Sequence, residues 1–151
     1  MEIKRDFYLN ELIDRMDNGL IKIVTGIRRC GKSYLLDPIF KDYLIKQGIE
    51  KDHIIKLSLD ERANSKYLDP DTLDQYIRSL IIDDKKYYLI LDEIQLVKEF
   101  ESVLIGFMHI DNVEIYVTGS NSKFLSSDIV TEFRGRGDEI RVYPLSFDEF
   151  F

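Results

Sequence analysis

The sequence predicts an α/β protein of three layers, α/β/α, with a parallel sheet in the middle. Three observations predict it. Short apolar, β-branched runs alternate with stretches of helical period. The first run leads directly into an octapeptide bounded by glycine and a basic-hydroxyl pair, and a later run ends in two adjacent acids.

Leu9, Leu12, Ile13 and Met16 recur at helical spacing before the stop signal Asn18-Gly19, so the chain is expected to open with a short amphipathic helix. Leu20 to Thr25 reads as a buried strand. A helix is expected from Gly31, with Leu35, Leu36, Ile39, Phe40, Tyr43 and Leu44 in period up to Gly48. Pro38 cannot donate to the carbonyl of Tyr34, so this helix should kink or split in two. His53 to Leu59 alternates as a second strand, Glu61 to Tyr67 lacks a period and reads as a loop, and Asp69-Pro70 starts a helix carrying Leu73, Tyr76, Ile77, Leu80 and Ile81. Tyr87 to Leu91 is the third strand. Val97, Phe100, Leu104, Phe107 and Met108 predict a helix from Ile94 to the turn Asp111-Asn112. Val113 to Val117 and Glu139 to Tyr143 complete the strands, with a short helical piece near Phe124 between them.

The composition belongs to one globular domain. Its 151 residues are 44% hydrophobic and 32% charged, enough for a core without disulfide or metal staples. No apolar run approaches the ~18 residues that would span a bilayer, which excludes a membrane helix, and the N-terminus lacks the apolar stretch of a signal peptide. A cytoplasmic location is expected. Cys30 is the sole cysteine, so no internal disulfide can form. A net charge of −7 argues against general attraction for nucleic acid, leaving DNA contact to local basic clusters or to other parts of a longer protein.

Gly26-Ile27-Arg28-Arg29-Cys30-Gly31-Lys32-Ser33 fits G-x-x-x-x-G-K-[ST], the P-loop pattern, between a strand and a helix. Glycines let the backbone curl so that successive N–H groups and a helix N-terminus point at one spot, which suits an anion. Lys32 reaches β- and γ-phosphates, and the Ser33 hydroxyl suits Mg²⁺. The nucleotide-binding stretch thus comprises Gly26, Ile27, Arg28, Arg29, Cys30, Gly31, Lys32, Ser33 and Tyr34. Within it, Arg28, Arg29 and Cys30 fill variable positions. ATP and Mg²⁺ are the implied ligand and metal.

A metal on triphosphate needs a carboxylate at the end of a neighbouring strand. Asp92 supplies it, and Glu93 beside it is placed to aim a water at the γ-phosphate as the catalytic base. In Thr118-Gly119-Ser120-Asn121, a polar side chain reaches the γ-phosphate or the attacking water if strand four lies between the P-loop strand and the Asp-Glu strand. Asn121 or Ser120 is the candidate, the alternative being a helix cap. Arg134 and Arg136 are candidate arginine fingers, in cis or across a subunit interface. His53 and His109 have no partners at metal spacing and read as ordinary helix or strand residues.

The segments IKIVTGIRRCGKS, YYLILDEIQ, IYVTGSNSKFLS and FRGRGDEIRVYPLSFDEFF together resemble the N-terminal ATPase core of a prokaryotic AAA-type family, over nearly the whole chain. The resemblance implies a P-loop nucleoside triphosphatase fold of strand order 5-1-4-3-2, a Walker A loop at Gly26 to Ser33, a Walker B pair at Asp92 and Glu93, a sensor at Ser120-Asn121, and Arg136 ahead of Arg134 as the finger. It also implies that residues 1–151 are an ATPase core cut short of a helical lid and a C-terminal domain, and that a homo-oligomer or a partner protein completes it. The expected function is Mg-dependent ATP hydrolysis, with an ATP-operated switch or binding module as the second reading. A GTPase is disfavoured because the guanine-specifying Asn-Lys-x-Asp pattern is absent, and a small-molecule kinase because Glu93 is placed to activate water.

Overall fold

The computed structural model describes residues 2–25, 35–119 and 137–141. Its strands are β1 (Ile21–Thr25), β2 (Ile54–Ser58), β3 (Tyr87–Asp92), β4 (Val113–Gly119) and β5 (Gly137–Arg141). They form one sheet in the order β2-β3-β4-β1-β5, which is 5-1-4-3-2 read from the other edge, and every pairing is parallel. The helices are α1 (Glu2–Asp14), α2 (Lys41–Lys46), α3 (Pro70–Leu80) and α4 (Phe100–Met108).

Strand side chains alternate between faces, and this period divides the core in two. On one face Ile21, Ile23, Leu57, Leu89, Leu91 and Val117 pack under Leu73 and Ile77 of α3 and Leu104 and Phe107 of α4. On the other, Val24, Ile54, Tyr88, Ile90 and Tyr116 pack under Tyr8 and Leu12 of α1 and under Leu35, Leu36, Phe40 and Leu44. Helices therefore cover both faces, as a parallel sheet requires.

Several expected elements change shape. The helix around Pro38 splits: Asp37 takes an extended conformation (φ −144°, ψ 110°), the Asp37-Pro38 peptide is cis, and regular helix resumes only at Lys41. Gly48, at φ 96°, then reverses the chain while Ile49 N–H donates to the Leu44 carbonyl at 3.1 Å, a left-handed helix end that glycine adopts without steric cost. The expected loop 61–67 is tight helical turn over Arg62–Leu68, with Tyr67 stacked on Tyr76 at 4.4 Å. Asp69 caps α3 as its sequence suggests, accepting from Thr72 N–H at 3.0 Å with Pro70 in the first turn.

The helix expected from Ile94 begins instead at Phe100. Glu93 and Glu99 are both left-handed (φ 59° and 53°), and between them lies a single tight turn, Ile94–Leu96. Ile94 and Val97 are buried nonetheless, so the apolar spacing that mimics a longer helix is satisfied by a turn docked on the core. The start of β5 at Gly137 rather than Glu139 extends its pairing to Ile21.

At the N-terminal end of the sheet, Lys22 and Glu114 form a buried ion pair of 2.8 Å. Glu114 also accepts from the Asp17 N–H at 3.0 Å and the Tyr116 hydroxyl at 3.1 Å, and Lys22 also donates to Asn18 at 3.3 Å. Burial next to the Glu114 carboxylate drives the Tyr116 phenol far up from its ordinary range, so it stays a donor. Removing one partner strands the other charge away from water. Lys22→Met is expected to lower stability by about 3–5 kcal/mol and the Lys22→Met/Glu114→Leu pair to recover part of that loss, measured by urea denaturation.

His53 is not the ordinary strand residue expected. It is buried just ahead of β2, in the turn Lys51–His53, with its ring 4.4 Å from that of Tyr87. One ring nitrogen lies 2.8 Å from Asp52 and the other 2.8 Å from Asp83, so both face carboxylates and the imidazolium is favoured. The Asp83 hydrogen bond raises the His53 pKa most, burial opposes it, and Asp52 adds to it. With the folded pKa above the unfolded one, the stabilisation is complete below the unfolded value of about 6.5 and is lost as pH rises through the folded value. The thermal midpoint of His53→Gln should fall furthest below wild type at pH 6 and approach it at pH 9.

Candidate functional site

The strands all point one way, so their C-terminal ends share an edge of the sheet, the edge at which open α/β sheets bind ligands. β1 ends there at Thr25, from which residues 26–34 depart. They return to the fold at Leu35 and Leu36, both buried against the sheet. Thr25 pairs with Gly119, the last residue of β4. Residues 25 and 119 thus end their strands side by side. Residues 26–34, which hold the expected phosphate site with Lys32 and Ser33, lie outside the described residues, as do Ser120, Asn121, Arg134 and Arg136.

The acidic pair is described in full. Asp92 closes β3, and Glu93 is the first residue beyond it. Both are buried, at 6% and 7% exposure. Buried carboxylates demand hydrogen-bond donors. Thr118, fully buried and next to last in the seven-residue β4, answers that demand for Asp92: its Oγ1 donates to Asp92 Oδ1 and also accepts from the Glu93 backbone N–H at 2.9 Å. A hydroxyl has one proton to give and lone pairs to receive, so a single threonine fills both roles.

Strand period explains the arrangement. Tyr88, Ile90 and Asp92 on β3, and Tyr116 and Thr118 on β4, alternate onto the face that also carries Leu35, Leu36 and Phe40. The apolar members fill the core, and the last member on this face of each strand is polar at the C-terminal edge of the sheet. Ser58 of β2 is paired with Asp92, and Lys56 donates to Ser58 Oγ at 2.6 Å while lying 3.6 Å from Asp37. At the opposite side of β1, Thr25 Oγ1 donates to Glu139 Oε2 at 2.6 Å.

Glu93 adopts a left-handed conformation that a side chain takes at a cost of about 1–3 kcal/mol, a cost concentrated at functional sites. Its carboxylate accepts from Gln95 Nε2 at 2.8 Å. Sequence reading singled out Asp92 and Glu93 but passed over Thr118 and Gln95. The signal for Thr118 was a β-branched hydroxyl closing an apolar strand. For Gln95, two residues from Glu93, no period marks it.

The condition set for the Thr118-to-Asn121 segment is met: β4 lies between β1 and β3. The donor set on this edge, carboxylate and hydroxyl oxygens, is the hard-oxygen set that Mg²⁺ takes, so the residues present fit the metal implied by the sequence. Among the described residues, three metal-ligand atoms come within reach of one another at Glu50, Asp52 and His53, just ahead of β2 and so at the opposite edge of the sheet; His53 thus has neighbours at metal spacing that were not expected, and it presents both ring nitrogens to carboxylates.

A five-stranded parallel sheet in this order, with a glycine-bounded sequence between β1 and a packed helical segment and two acids at the end of β3, fits the P-loop nucleoside triphosphatase class. Residues 18–151 match the family model described as AAA domain, and the chain belongs to that family. An uncharacterized protein of Haemophilus influenzae is 37% identical over 149 residues, 98% of this chain and 37% of that protein. This chain spans only about a third of the length of the curated relatives it matches. Among solved structures, the Aeropyrum pernix ORC1 protein in complex with DNA superposes with a TM-score of 0.62 at 12% identity, covering 96% of this chain and 46% of that one. AMPPCP-bound DnaA from Aquifex aeolicus superposes with a TM-score of 0.53 at 21% identity, covering 89% and 43%. Family and fold together support a nucleotide-binding function of the ATPase type. Among the described residues no helix is long and apolar enough to cross a membrane.

Thr118→Val removes the donor to Asp92 and the acceptor for Glu93 N–H while keeping shape. It is expected to cost about 1–3 kcal/mol in urea denaturation, with Thr118→Ser retaining most of the stability.

Proposed function

We propose that this chain binds Mg·ATP through residues 26–34 and hydrolyses it with Glu93. The observation that carries the reading is the coupling of Asp92 and Glu93, both buried, through the hydroxyl of Thr118 on the strand next to β1. A buried, hydrogen-bonded acid pair beside a glycine loop has a direct chemical use: one acid holds metal, the other orients water.

In this reading the backbone N–H groups of residues 26–34 bind the triphosphate, Lys32 neutralises the β- and γ-phosphates, and Ser33 and Asp92 hold Mg²⁺. When bound, the metal supplies positive charge to the phosphate oxygens. Thr118 holds the Asp92 carboxylate by donating to it and fixes the start of the Glu93 backbone. Glu93 aligns the attacking water and takes its proton. Asn121 addresses the γ-phosphate or that water, and Arg136, from this chain or from a neighbouring copy, stabilises charge on the transferring group. Residues 1–151 act as one ATPase core. The AMPPCP bound to DnaA in a structure of the same fold supports a nucleotide as ligand.

Lys32→Ala should weaken Mg·ATP binding by about tenfold or more in a calorimetric titration, and Glu93→Gln should leave affinity within about twofold while slowing turnover by roughly 10²–10⁴. Turnover of Glu93→Gln at the wild-type rate rules out the assigned base. Binding with no turnover in the wild-type chain points to the nucleotide-operated binding module instead.

A further inference from the structure

We propose that Gln95 is a positioning residue for the hydrolytic step, setting the orientation of the Glu93 carboxylate without itself touching nucleotide. This inference rests on the ATPase reading of the same site. It starts from the backbone. Glu93 leaves β3 in a left-handed conformation and enters one tight turn closed by Leu96 N–H on the Glu93 carbonyl at 3.2 Å and by Val97 N–H on the Ile94 carbonyl at 3.0 Å. Ile94, fully buried, and Val97, at 2% exposure, pin the turn to the core, and Lys98 N–H donates to the Leu68 carbonyl at 3.1 Å just beyond it. The turn is rigid where the two polar side chains emerge.

Within it Gln95 Nε2 donates to Glu93 Oε1 at 2.8 Å. The amide has one orientation available: its oxygen turned towards the carboxylate would set two acceptors against each other. That oxygen, Oε1, is out of solvent, and no described group donates to it. The contact with Glu93 therefore decides which way the carboxamide faces, and the carboxamide in return restrains a glutamate side chain that has three torsions to choose from. A water-aligning base works only when its oxygen is held in place, because small misplacements at a reacting centre cost large factors in rate.

The variants are Gln95→Met, which keeps length and removes the donor, and Gln95→Glu, which keeps size and polarity and sets like charges together. Steady-state ATP hydrolysis and binding of a fluorescent ATP analogue are measured for each, alone and combined with Glu93→Gln. The expected result is a kcat about tenfold lower for Gln95→Met and lower again for Gln95→Glu, with KM and analogue affinity within about twofold of wild type. In the Glu93→Gln background neither change should lower the residual rate further, because the group they act through is gone. A wild-type kcat in Gln95→Met, a change confined to KM, or an equal further drop in the Glu93→Gln background overturns the positioning role and leaves the ATPase reading standing. A wild-type chain that binds the analogue and never hydrolyses ATP overturns both.

Discussion

One hydroxyl, Thr118 Oγ1, joins three strands' worth of site geometry. It lies at the end of β4, gives its proton to Asp92 and receives the backbone N–H of Glu93, both from β3. β4 is in turn paired with β1 up to Thr25 and Gly119, so the acids are held at a fixed register from the point where residues 26–34 depart. A carboxylate buried as deeply as that of Asp92 needs such a donor, and the strand order supplies it. Were β3 next to β1 instead, no residue of a third strand would stand between the acids and the loop.

The rest of the molecule keeps that register fixed. Large apolar side chains fill both faces of β1, β3 and β4, and the helical cover differs: α3 and α4 on one side, α1 and the segment from Leu35 to Lys46 on the other. At the far end of the same strands, polar groups again lie beneath the second cover. There Lys22, Glu114 and Tyr116 form a connected network that ties β1 to β4, while Arg15 and Asn18 bind Asp138 and hold α1 to β5 at 3.0 and 2.9 Å. The sheet is thus locked by charge at one end and carries its buried acid pair at the other.

Much of this was legible in the residues. The buried strands announce themselves by β-branched runs, and parallel pairing follows from their alternation with helices, which is why all five strands appear where expected; their order, implied by the family resemblance, agrees as well. Asp69-Pro70 and Asp92-Glu93 were readable because each rests on local chemistry, a cap and a strand end. What escaped depends on contacts between distant parts of the chain. The helix expected from Ile94 failed because Ile94 and Val97 satisfy an apolar period by docking a turn, which periodicity cannot distinguish from a helix. His53 looked solitary because its partner Asp83 is 30 residues away. Thr118 escaped for the same reason, its carboxylate partner lying 26 residues away, whereas Gln95 is only two residues from Glu93 and escaped because the contact depends on the left-handed turn between them.

The central claim is that Asp92 and Glu93, fixed through Thr118, face the phosphates of a nucleotide held by residues 26–34. A crystal structure of the chain with Mg²⁺ and a non-hydrolysable ATP analogue tests it most directly. The account predicts the triphosphate between Lys32 and the end of β3, the metal on the Asp92 side bridged to it directly or by a coordinated water, and the Thr118 hydroxyl still bonded to Asp92. An analogue seated elsewhere on the chain, or a triphosphate in the loop with Asp92 and Glu93 turned away from it, contradicts the account.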